Sequence, residues 1–218
     1  MADLKLVIGN KNYSSWSLRA WIGLAEAGLA FDEVVLPLDT PEFAEKIPTY
    51  SGAKRVPVLI HGDLTVWDSL AILEYVADLA PEAGLLPDDG QARAVARCVA
   101  AEMHAGFAPL RRALPMNLKR PPRAIAIGDA VADDIARIQH IWLDCRDRYG
   151  DGGDCLFGGF TIADAMFAPV ASRFATYQVP LDPVCAAYRD SLLNRPSFQR
   201  WQADGVAEAW VNQSYDAL

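Results

Sequence analysis

Three serines at the beginning of a predicted helix carry the first chemistry that the sequence offers. Ser14, Ser15 and Ser17 lie in the stretch SSWSLRAWIGL, shortly after an apolar segment that is typical of a strand. One serine is enough to cap a helix. A second hydroxyl, supported by the positive potential of a helix N-terminus, can hydrogen-bond an anion such as a thiolate. The first 97 residues contain no cysteine, so that sulfur has to come from a ligand.

Asp68 and Ser69 begin another predicted helix, in the stretch WDSLAIL. Ordinary helix capping by the aspartate explains this pair. The alternative is a binding site, because the free N–H groups of a helix N-terminus and the Ser69 hydroxyl can hold a carboxylate. Asp68 can accept hydrogen bonds from an ammonium group at the same place. The two residues would then hold the α-amino acid end of a ligand.

The stretch KRVPVL contains a proline at the beginning of a predicted strand. A proline is tolerated there at a sheet edge or with a cis peptide bond. The residue before it, Val56, is held extended, with its own N–H and C=O free to pair. An extended peptide can therefore dock on Val56 by strand addition. The alternative interpretation of Pro57 is an ordinary edge-strand proline.

The composition restricts the partners of the chain. It has 218 residues, of which 52% are hydrophobic, and a formal net charge of −8. Nucleic acids and anionic membrane surfaces bind basic surfaces, so we expect neither as a partner. No apolar run approaches the roughly 20 residues of a membrane-spanning helix. The stretch MADLKLVIGN also lacks the apolar region of a signal peptide. We predict a cytoplasmic location.

The four cysteines and three histidines are scattered along the chain. No two cysteines have the C-x-x-C spacing, and a zinc site needs clustered cysteine or histidine ligands. We therefore predict no metal site. Structural disulfides are not expected in a reducing compartment. The cysteines are then ordinary free thiols at positions Cys98, Cys145, Cys155 and Cys185.

The order of predicted elements divides the chain into an α/β part and an all-α part. Residues 1–80 predict the order β-α-β-α-β-β-α, with a parallel pair of strands around the first helix. The stretch VPVLIHGDLTVW predicts a hairpin. Residues 81–90 are rich in Pro, Gly and Asp and predict a linker. Strand patterns are absent after it, and helical periodicity is found at 91–114, about 129–149, 161–177, 183–193 and 196–210.

Together these motifs resemble the glutathione transferases over essentially the whole chain. SSWSLRAWIGL is similar to the S-S-C-S-x-R-x-x-I-A-L signature of the zeta class, the maleylacetoacetate isomerases. RVPVL resembles the cis-proline loop of the family, and DSLAILEYVAD resembles its Asp-Ser helix start. The resemblance implies a thioredoxin-like, glutathione-binding domain at 1–80, a linker at 81–90 and an all-helical domain at 91–218. It also implies a homodimer.

The resemblance further implies roles for individual residues. Ser14 would donate a hydrogen bond to the glutathione sulfur, with Ser15 as the nearest substitute. The main chain of Val56 would pair with the cysteinyl backbone, and Pro57 would be cis. The γ-glutamyl end would be bound at the helix start described above.

Three basic residues extend this expected glutathione site. Besides Asp68 and Ser69, which would hold the γ-glutamyl end, the first of these is Arg55. It stands where the family often has a glutamine. Lys46 and Lys54 are alternative partners for the glycyl carboxylate. A lysine in such a position is more often simply solvated.

The electrophile is expected between the two domains, next to Trp16, His104, Phe107 and Arg111. Interdomain clefts are common ligand sites. The alternative is that the aromatic residues form interdomain core and that the arginine is a surface charge.

The sequence departs from the zeta pattern at three positions. Trp16 replaces a cysteine, Ala108 replaces a polar residue, and Arg173 lies about one turn from the position of an arginine in the isomerases. We therefore do not transfer isomerase activity. The expected function is a glutathione transferase that activates the thiolate through a serine for attack on a small hydrophobic electrophile. A glutathione-dependent isomerase or reductase, and a non-catalytic interaction module, are the alternatives.

One motif has a purely structural interpretation. Thr161 and Asp164 have the S/T-x-x-D/E spacing of a capping box, in which each side chain satisfies a backbone N–H of the helix start. This pair is expected to stabilise the fold rather than to bind a ligand.

Overall fold

A computed structural model describes residues 3–216 of the chain. Its single sheet has four strands in the order β2-β1-β3-β4, in which β1 is parallel to β2 and antiparallel to β3. The strands are β1 Leu4–Gly9, β2 Asp32–Leu36, β3 Val58–His61 and β4 Leu64–Val66. The predicted parallel pair and the predicted hairpin are both confirmed.

Three helices accompany the sheet, and local sequence explains where each begins or ends. They are α1 Ser15–Glu26, α2 Pro41–Lys46 and α3 Ser69–Leu79. After α1 the chain turns at Gly28, whose φ of 68° lies in the left-handed region that favours glycine. Before α2 the Thr40 side chain accepts a hydrogen bond from the Phe43 N–H.

The rest of the described chain consists of helices joined by loops. Its helices are α4 Gly90–Ala105, α5 Ala108–Ala113, α6 Asp129–Tyr149, α7 Ile162–Thr176, α8 Pro183–Leu193, α9 Pro196–Ala207 and α10 Gln213–Asp216. The predicted fold class, a thioredoxin-like domain followed by an all-helical part, is confirmed. The domain boundaries themselves stay a prediction.

Two predicted helices have different bounds. The segment 91–114 is two helices because Phe107 has a φ of 58° and leaves the helical region after Gly106. Pro109, in the first turn of α5, has no N–H with which to continue the α4 ladder. The predicted helix 196–210 ends at Ala207, and a separate short helix follows.

The two parts share one hydrophobic core. Leu18 of α1 and Ile72 of α3 belong to the same buried cluster as Phe167 of α7 and Trp201 of α9. The beginning of α1, where the serines lie, is therefore fixed by packing from both parts. None of the helices within residues 3–216 is long and apolar enough to cross a membrane.

The capping box at the beginning of α7 is present, as predicted. The Asp164 carboxylate is fully buried and accepts hydrogen bonds from the Thr161 N–H and hydroxyl, both over 2.8 Å. It also accepts from the Leu156 N–H over 3.0 Å and from the Tyr188 hydroxyl over 2.9 Å. This carboxylate joins three chain segments inside the helical part.

Candidate active site

The three serines at the start of α1 have three different environments. Ser14 is the N-cap, and its oxygen accepts from the Ser17 N–H over 3.3 Å. The Ser14 hydroxyl donates to Ser17 Oγ over 2.7 Å, and Ser17 Oγ accepts from the Gly9 N–H over 3.0 Å. Ser17 is fully buried, and its hydrogen bond from Gly9 joins α1 to β1. Within residues 3–216 the Ser15 hydroxyl has no hydrogen-bond partner.

A cavity of about 320 Å³, here called the serine cavity, opens at these hydroxyls. Its lining comes from α1, from the loop before β3 and from the helical part. The lining residues are Tyr13, Ser14, Ser15, Trp16, Leu38, Phe43, Lys54, Arg55, Val56, Arg111, Pro115, Arg173 and Tyr215.

A second cavity of about 550 Å³, here called the aspartate cavity, adjoins it. Its lining comes from α1, the loop before β3, the start of α3 and the end of α4. The lining residues are Trp16, Ala53, Arg55, Val56, Pro57, Trp67, Asp68, Ser69 and His104. Trp16, Arg55 and Val56 line both cavities, so the two adjoin and are treated together as one candidate site.

The start of α3 combines a helix cap with unused polar groups. Asp68 Oδ1 accepts from the N–H groups of Leu70 and Ala71, over 3.0 and 3.5 Å. The carboxylate nevertheless stays exposed to the aspartate cavity. Ser69 Oγ is buried and has no hydrogen-bond partner in the described part of the chain. Capping by Asp68 therefore leaves donors and acceptors for a ligand.

The loop before β3 brings an extended backbone to the same place. The Val56–Pro57 peptide is cis, as predicted. Among residues 3–216, neither the N–H nor the C=O of Val56 pairs with another main-chain group. Arg55 and Lys54 are exposed beside it. Lys46 instead lies on α2, where its ammonium group contacts Glu42 Oε1 over 2.7 Å.

The four residues expected around the electrophile lie in three different places. Trp16 and Arg111 lie in the serine cavity. His104 lies in the aspartate cavity, where its Nε2 is 3.1 Å from Asp68 Oδ2. Phe107 lines neither cavity, because its left-handed backbone turns the side chain into the shared core, where it is 7% exposed. Phe107 is therefore a core residue, as the alternative interpretation had it.

Three arginines form a positively charged group around Trp16. The Arg19 guanidinium lies 4.3 Å from the centre of the Trp16 ring, and that of Arg111 lies 5.1 Å from it. Arg173 donates from Nε to the Leu114 carbonyl over 2.7 Å and also lines the serine cavity. All three guanidinium nitrogens of Arg19, and Nη1 of Arg111 and of Arg173, are buried without a hydrogen-bond partner within residues 3–216.

Electrostatics of this group favour an anion in the serine cavity. Burial, and then the charges of Arg173 and Arg111, lower the pKa of Arg19 well below its usual value. Burial and the charge of Arg111 lower the pKa of Arg173 to about 10. A bound anion would reverse these effects by supplying the missing acceptor and counter-charge. Arg173 lines the serine cavity and was missed as a site residue. Arg19 is fully buried and lines neither cavity, but it follows Ser15 by one helical turn, which places these two residues on one face of α1.

The C-terminal segment supplies another wall that the sequence did not indicate. Tyr215 of α10 lines the serine cavity and packs against Tyr13 with ring centres 5.3 Å apart. Asp216 accepts from the Tyr13 hydroxyl over 3.0 Å and from Asn117 Nδ2 over 2.7 Å. The Tyr13 hydroxyl in turn accepts from the Asn212 N–H over 3.1 Å. The short helix α10 is thereby attached beside the serines.

Known proteins share this fold and these motifs. Residues 13–79 match the family profile of the glutathione S-transferase N-terminal domain. A maleylacetoacetate isomerase of Mus musculus is 36% identical over 174 residues, which cover 78% of each chain. A probable maleylacetoacetate isomerase of Caenorhabditis elegans is 25% identical and covers 97% of this chain and 100% of its own. A glutathione transferase homolog from Burkholderia, solved with bound glutathione, is 27% identical, has a TM-score of 0.72 and covers 93% of this chain and 97% of its own.

The chain therefore belongs to the glutathione S-transferase superfamily, a group of glutathione-dependent enzymes. Its relationship is to the zeta class, as the SSWSLRAWIGL motif predicts.

Proposed function

We propose that the chain is a glutathione transferase that binds glutathione across the two cavities and uses a serine of α1 to stabilise the thiolate. The observation that carries this proposal is the position of the unused polar groups. Ser15, Val56 and the Asp68–Ser69 pair line the two adjoining cavities. These are the groups that a γ-glutamyl-cysteinyl peptide with a thiol requires.

The γ-glutamyl end of glutathione would occupy the aspartate cavity. Its ammonium group would meet the exposed Asp68 carboxylate, and its carboxylate would meet the Ser69 hydroxyl and the N-terminus of α3. The cysteinyl backbone would pair with Val56 as an added strand. Of the two lysines considered for the glycyl carboxylate, Lys54 is favoured because it lines the serine cavity, whereas Lys46 is paired with Glu42. Arg55 lines both cavities and is a further contact.

The sulfur would lie at the start of α1. Ser15 is favoured over Ser14 as its hydrogen-bond donor because the Ser14 hydroxyl already donates to Ser17 Oγ. When the thiol binds, its proton passes to solvent and the thiolate accepts from the serine. The sulfur lone pair then forms the new bond to the electrophilic carbon, and the leaving group departs with its electron pair. The pKa of the thiol falls by one unit for about every 1.4 kcal/mol by which the site stabilises the thiolate relative to the thiol.

We further propose that the electrophile carries an anionic group. The sequence led us to expect a small hydrophobic electrophile, but Arg111 and Arg173 both line the serine cavity with unpartnered N–H groups. A carboxylate would accept these donors in the bidentate geometry that guanidinium groups favour. Trp16 would still provide an apolar face for the carbon skeleton.

A glutathione-dependent isomerase is the second candidate. It is supported by the names of the relatives from Mus musculus and Caenorhabditis elegans, and by the anionic character that the arginines favour in a substrate. Trp16 in place of the zeta cysteine argues against it. An isomerase returns glutathione unchanged, whereas a transferase consumes it, so measurement of thiol loss during turnover distinguishes the two.

Calorimetric titration with reduced glutathione tests the proposal, with Asp68→Ala as the site variant and Asp63→Ala, in the exposed hairpin turn, as the matched control. We expect millimolar or tighter binding that is retained in the control and lost in Asp68→Ala. Turnover is then measured with a chloronitrobenzoate and its methyl ester, each corrected for the uncatalysed rate. Absence of glutathione binding by the unmodified protein would contradict the proposal and favour an interaction module.

We also propose a homodimer in the cytoplasm. Leu64 and Trp67 are exposed apolar side chains, 47% and 55% accessible, at the hairpin beside the aspartate cavity. A second copy that covers them would remove this apolar surface from water. Four free thiols are compatible with a reducing compartment that supplies glutathione. Sedimentation equilibrium of the intact protein, compared with Trp67→Glu, tests the dimer.

A further inference from the structure

His104 joins the helical part of the molecule to the start of α3. It lies in the last turn of α4, and its Nε2 is 3.1 Å from Asp68 Oδ2. The other oxygen of this carboxylate, Oδ1, caps α3 through the N–H groups of Leu70 and Ala71. The two oxygens of Asp68 therefore have different partners, one within α3 and one across the interface between the two parts.

The imidazole ring itself is held on two sides. The Trp16 ring contacts it edge to face, with ring centres 5.2 Å apart. Its Nδ1 is buried and has no hydrogen-bond partner within residues 3–216. A proton on Nδ1 would have no acceptor, so the favoured tautomer carries its proton on Nε2, the nitrogen that lies 3.1 Å from Asp68 Oδ2.

We propose that His104 is a positioning residue for glutathione, acting through the Asp68 carboxylate; this inference rests on the proposed function. The Asp68 side chain is 54% exposed and would otherwise sample several rotamers. A donor on Oδ2 and the helix cap on Oδ1 fix the carboxylate plane toward the aspartate cavity. The γ-glutamyl ammonium then meets a preorganised acceptor, and less conformational entropy is lost on binding.

This role differs from the one that the sequence led us to expect. His104 was assigned to the electrophile, but it lines only the aspartate cavity, whereas Arg111 lines only the serine cavity. Its effect should therefore appear in glutathione binding and specifically in recognition of the amino group. A residue that merely supports the interface would affect the binding of any glutathione analogue equally.

Two ligands and three variants test the inference. Dissociation constants are measured by calorimetry for glutathione and for deaminoglutathione, which lacks the γ-glutamyl amino group. His104→Asn is too short to reach Asp68, His104→Phe has no donor, and His104→Gln keeps an amide N–H at a similar reach. His140→Phe, which replaces an exposed histidine of α6, is the matched control. Thermal unfolding of each variant verifies that it is folded.

We expect His104→Asn and His104→Phe to bind glutathione about five- to tenfold more weakly, which is within the range for the loss of one ordinary polar contact. Their affinity for deaminoglutathione should be unchanged, and His104→Gln should restore most of the loss. In turnover, KM for glutathione should rise while kcat is retained. Equal weakening for both ligands, or no weakening for glutathione, would overturn the positioning role. Failure of the unmodified protein to bind glutathione would instead overturn the proposed function.

Discussion

The Ser14 hydroxyl donates to Ser17 Oγ over 2.7 Å, and this bond separates the roles of the serines at the start of α1. Ser17 in turn accepts the Gly9 N–H, so the pair connects the helix cap to the end of β1. Ser15, between them in sequence, faces the serine cavity with a hydroxyl that no residue in 3–216 engages. The three serines therefore divide into two that hold the turn and one that remains available.

Ser15→Ala should impair thiolate formation. Loss of the donor removes a hydrogen bond to the charged form of the bound thiol, so the pKa of that thiol rises and the acid limb of the pH–rate profile moves to higher pH. At pH values below the pKa of the bound thiol, we expect the variant to be about tenfold slower than the unmodified protein. Ser14→Ala is the comparison, because it should lower stability by about 1 kcal/mol through loss of the cap. An unchanged pH–rate profile in Ser15→Ala would exclude this serine as the donor.

Arg111→Met should remove the preference for an anionic electrophile. The methionine can still pack on Trp16, but it offers no donor to a carboxylate. We expect KM for the chloronitrobenzoate to rise about tenfold, with little change for its methyl ester. Arg112→Met replaces an exposed neighbour outside the serine cavity and should behave as the unmodified protein. Equal effects on acid and ester would mean that Arg111 does not recognise charge.

Asp216→Ala should loosen the Tyr215 wall of the serine cavity. The carboxylate is the acceptor for Tyr13 and Asn117, so its loss releases α10. We expect KM for the electrophile to rise several-fold, while the dissociation constant of glutathione stays the same. Gln213→Ala, on the exposed side of the same helix, serves as the control. A parallel loss of glutathione affinity would show that α10 supports the whole site.

Asp164→Asn should destabilise the helical part. Its amide group cannot accept all four hydrogen bonds that the carboxylate receives, so buried donors from Leu156, Thr161 or Tyr188 are left without an acceptor. We expect about 2–3 kcal/mol less free energy of unfolding in urea. Thr161→Ala should cost about 1 kcal/mol, and the exposed Asp147→Asn should be neutral. Stability equal to that of the unmodified protein would contradict the capping role.

Cys98 should be the one reactive thiol of the folded protein. It is exposed, whereas burial raises the pKa of Cys145 to about 12 and that of Cys185 to about 11. Burial also raises the pKa of Cys155. Because the thiolate is the reactive form, a disulfide reagent should titrate one thiol before unfolding and four afterwards. Cys98→Ser should abolish the fast reaction of the folded protein. Rapid reaction of a second thiol would contradict the burial of Cys145, Cys155 and Cys185.

Local signals predicted the parts of the fold that depend on a few neighbouring residues. The Thr161–Asp164 pair begins α7 where expected, because helix caps depend on short-range bonds. The cis peptide before Pro57 was also predicted, through the family resemblance. Ser15, Val56 and Asp68, which the sequence named as candidate site residues, line the two adjoining cavities.

Contacts between distant segments could not be predicted in this way. Periodicity continues through Phe107, and only its left-handed backbone and the following proline break the helix. His104 and Asp68 are 36 residues apart, and nothing in either local sequence indicates their pairing. Tyr215 reaches the serine cavity from the end of the chain. The part of the serine cavity formed by the helical segments is built mainly from such contacts.

Trp16 is the side chain that both cavities share, and it stands where the zeta signature has cysteine. Its indole carries two guanidinium groups on its surface and holds the His104 ring at its edge. In the genetic code, tryptophan and cysteine codons differ by a single base. One nucleotide change at this codon would therefore remove the ring that the two cavities share, deprive Arg19, Arg111 and His104 of their common contact, and place a thiol between the cavities. Position 16 is thus a place where a single mutational step can redirect the chemistry of the site.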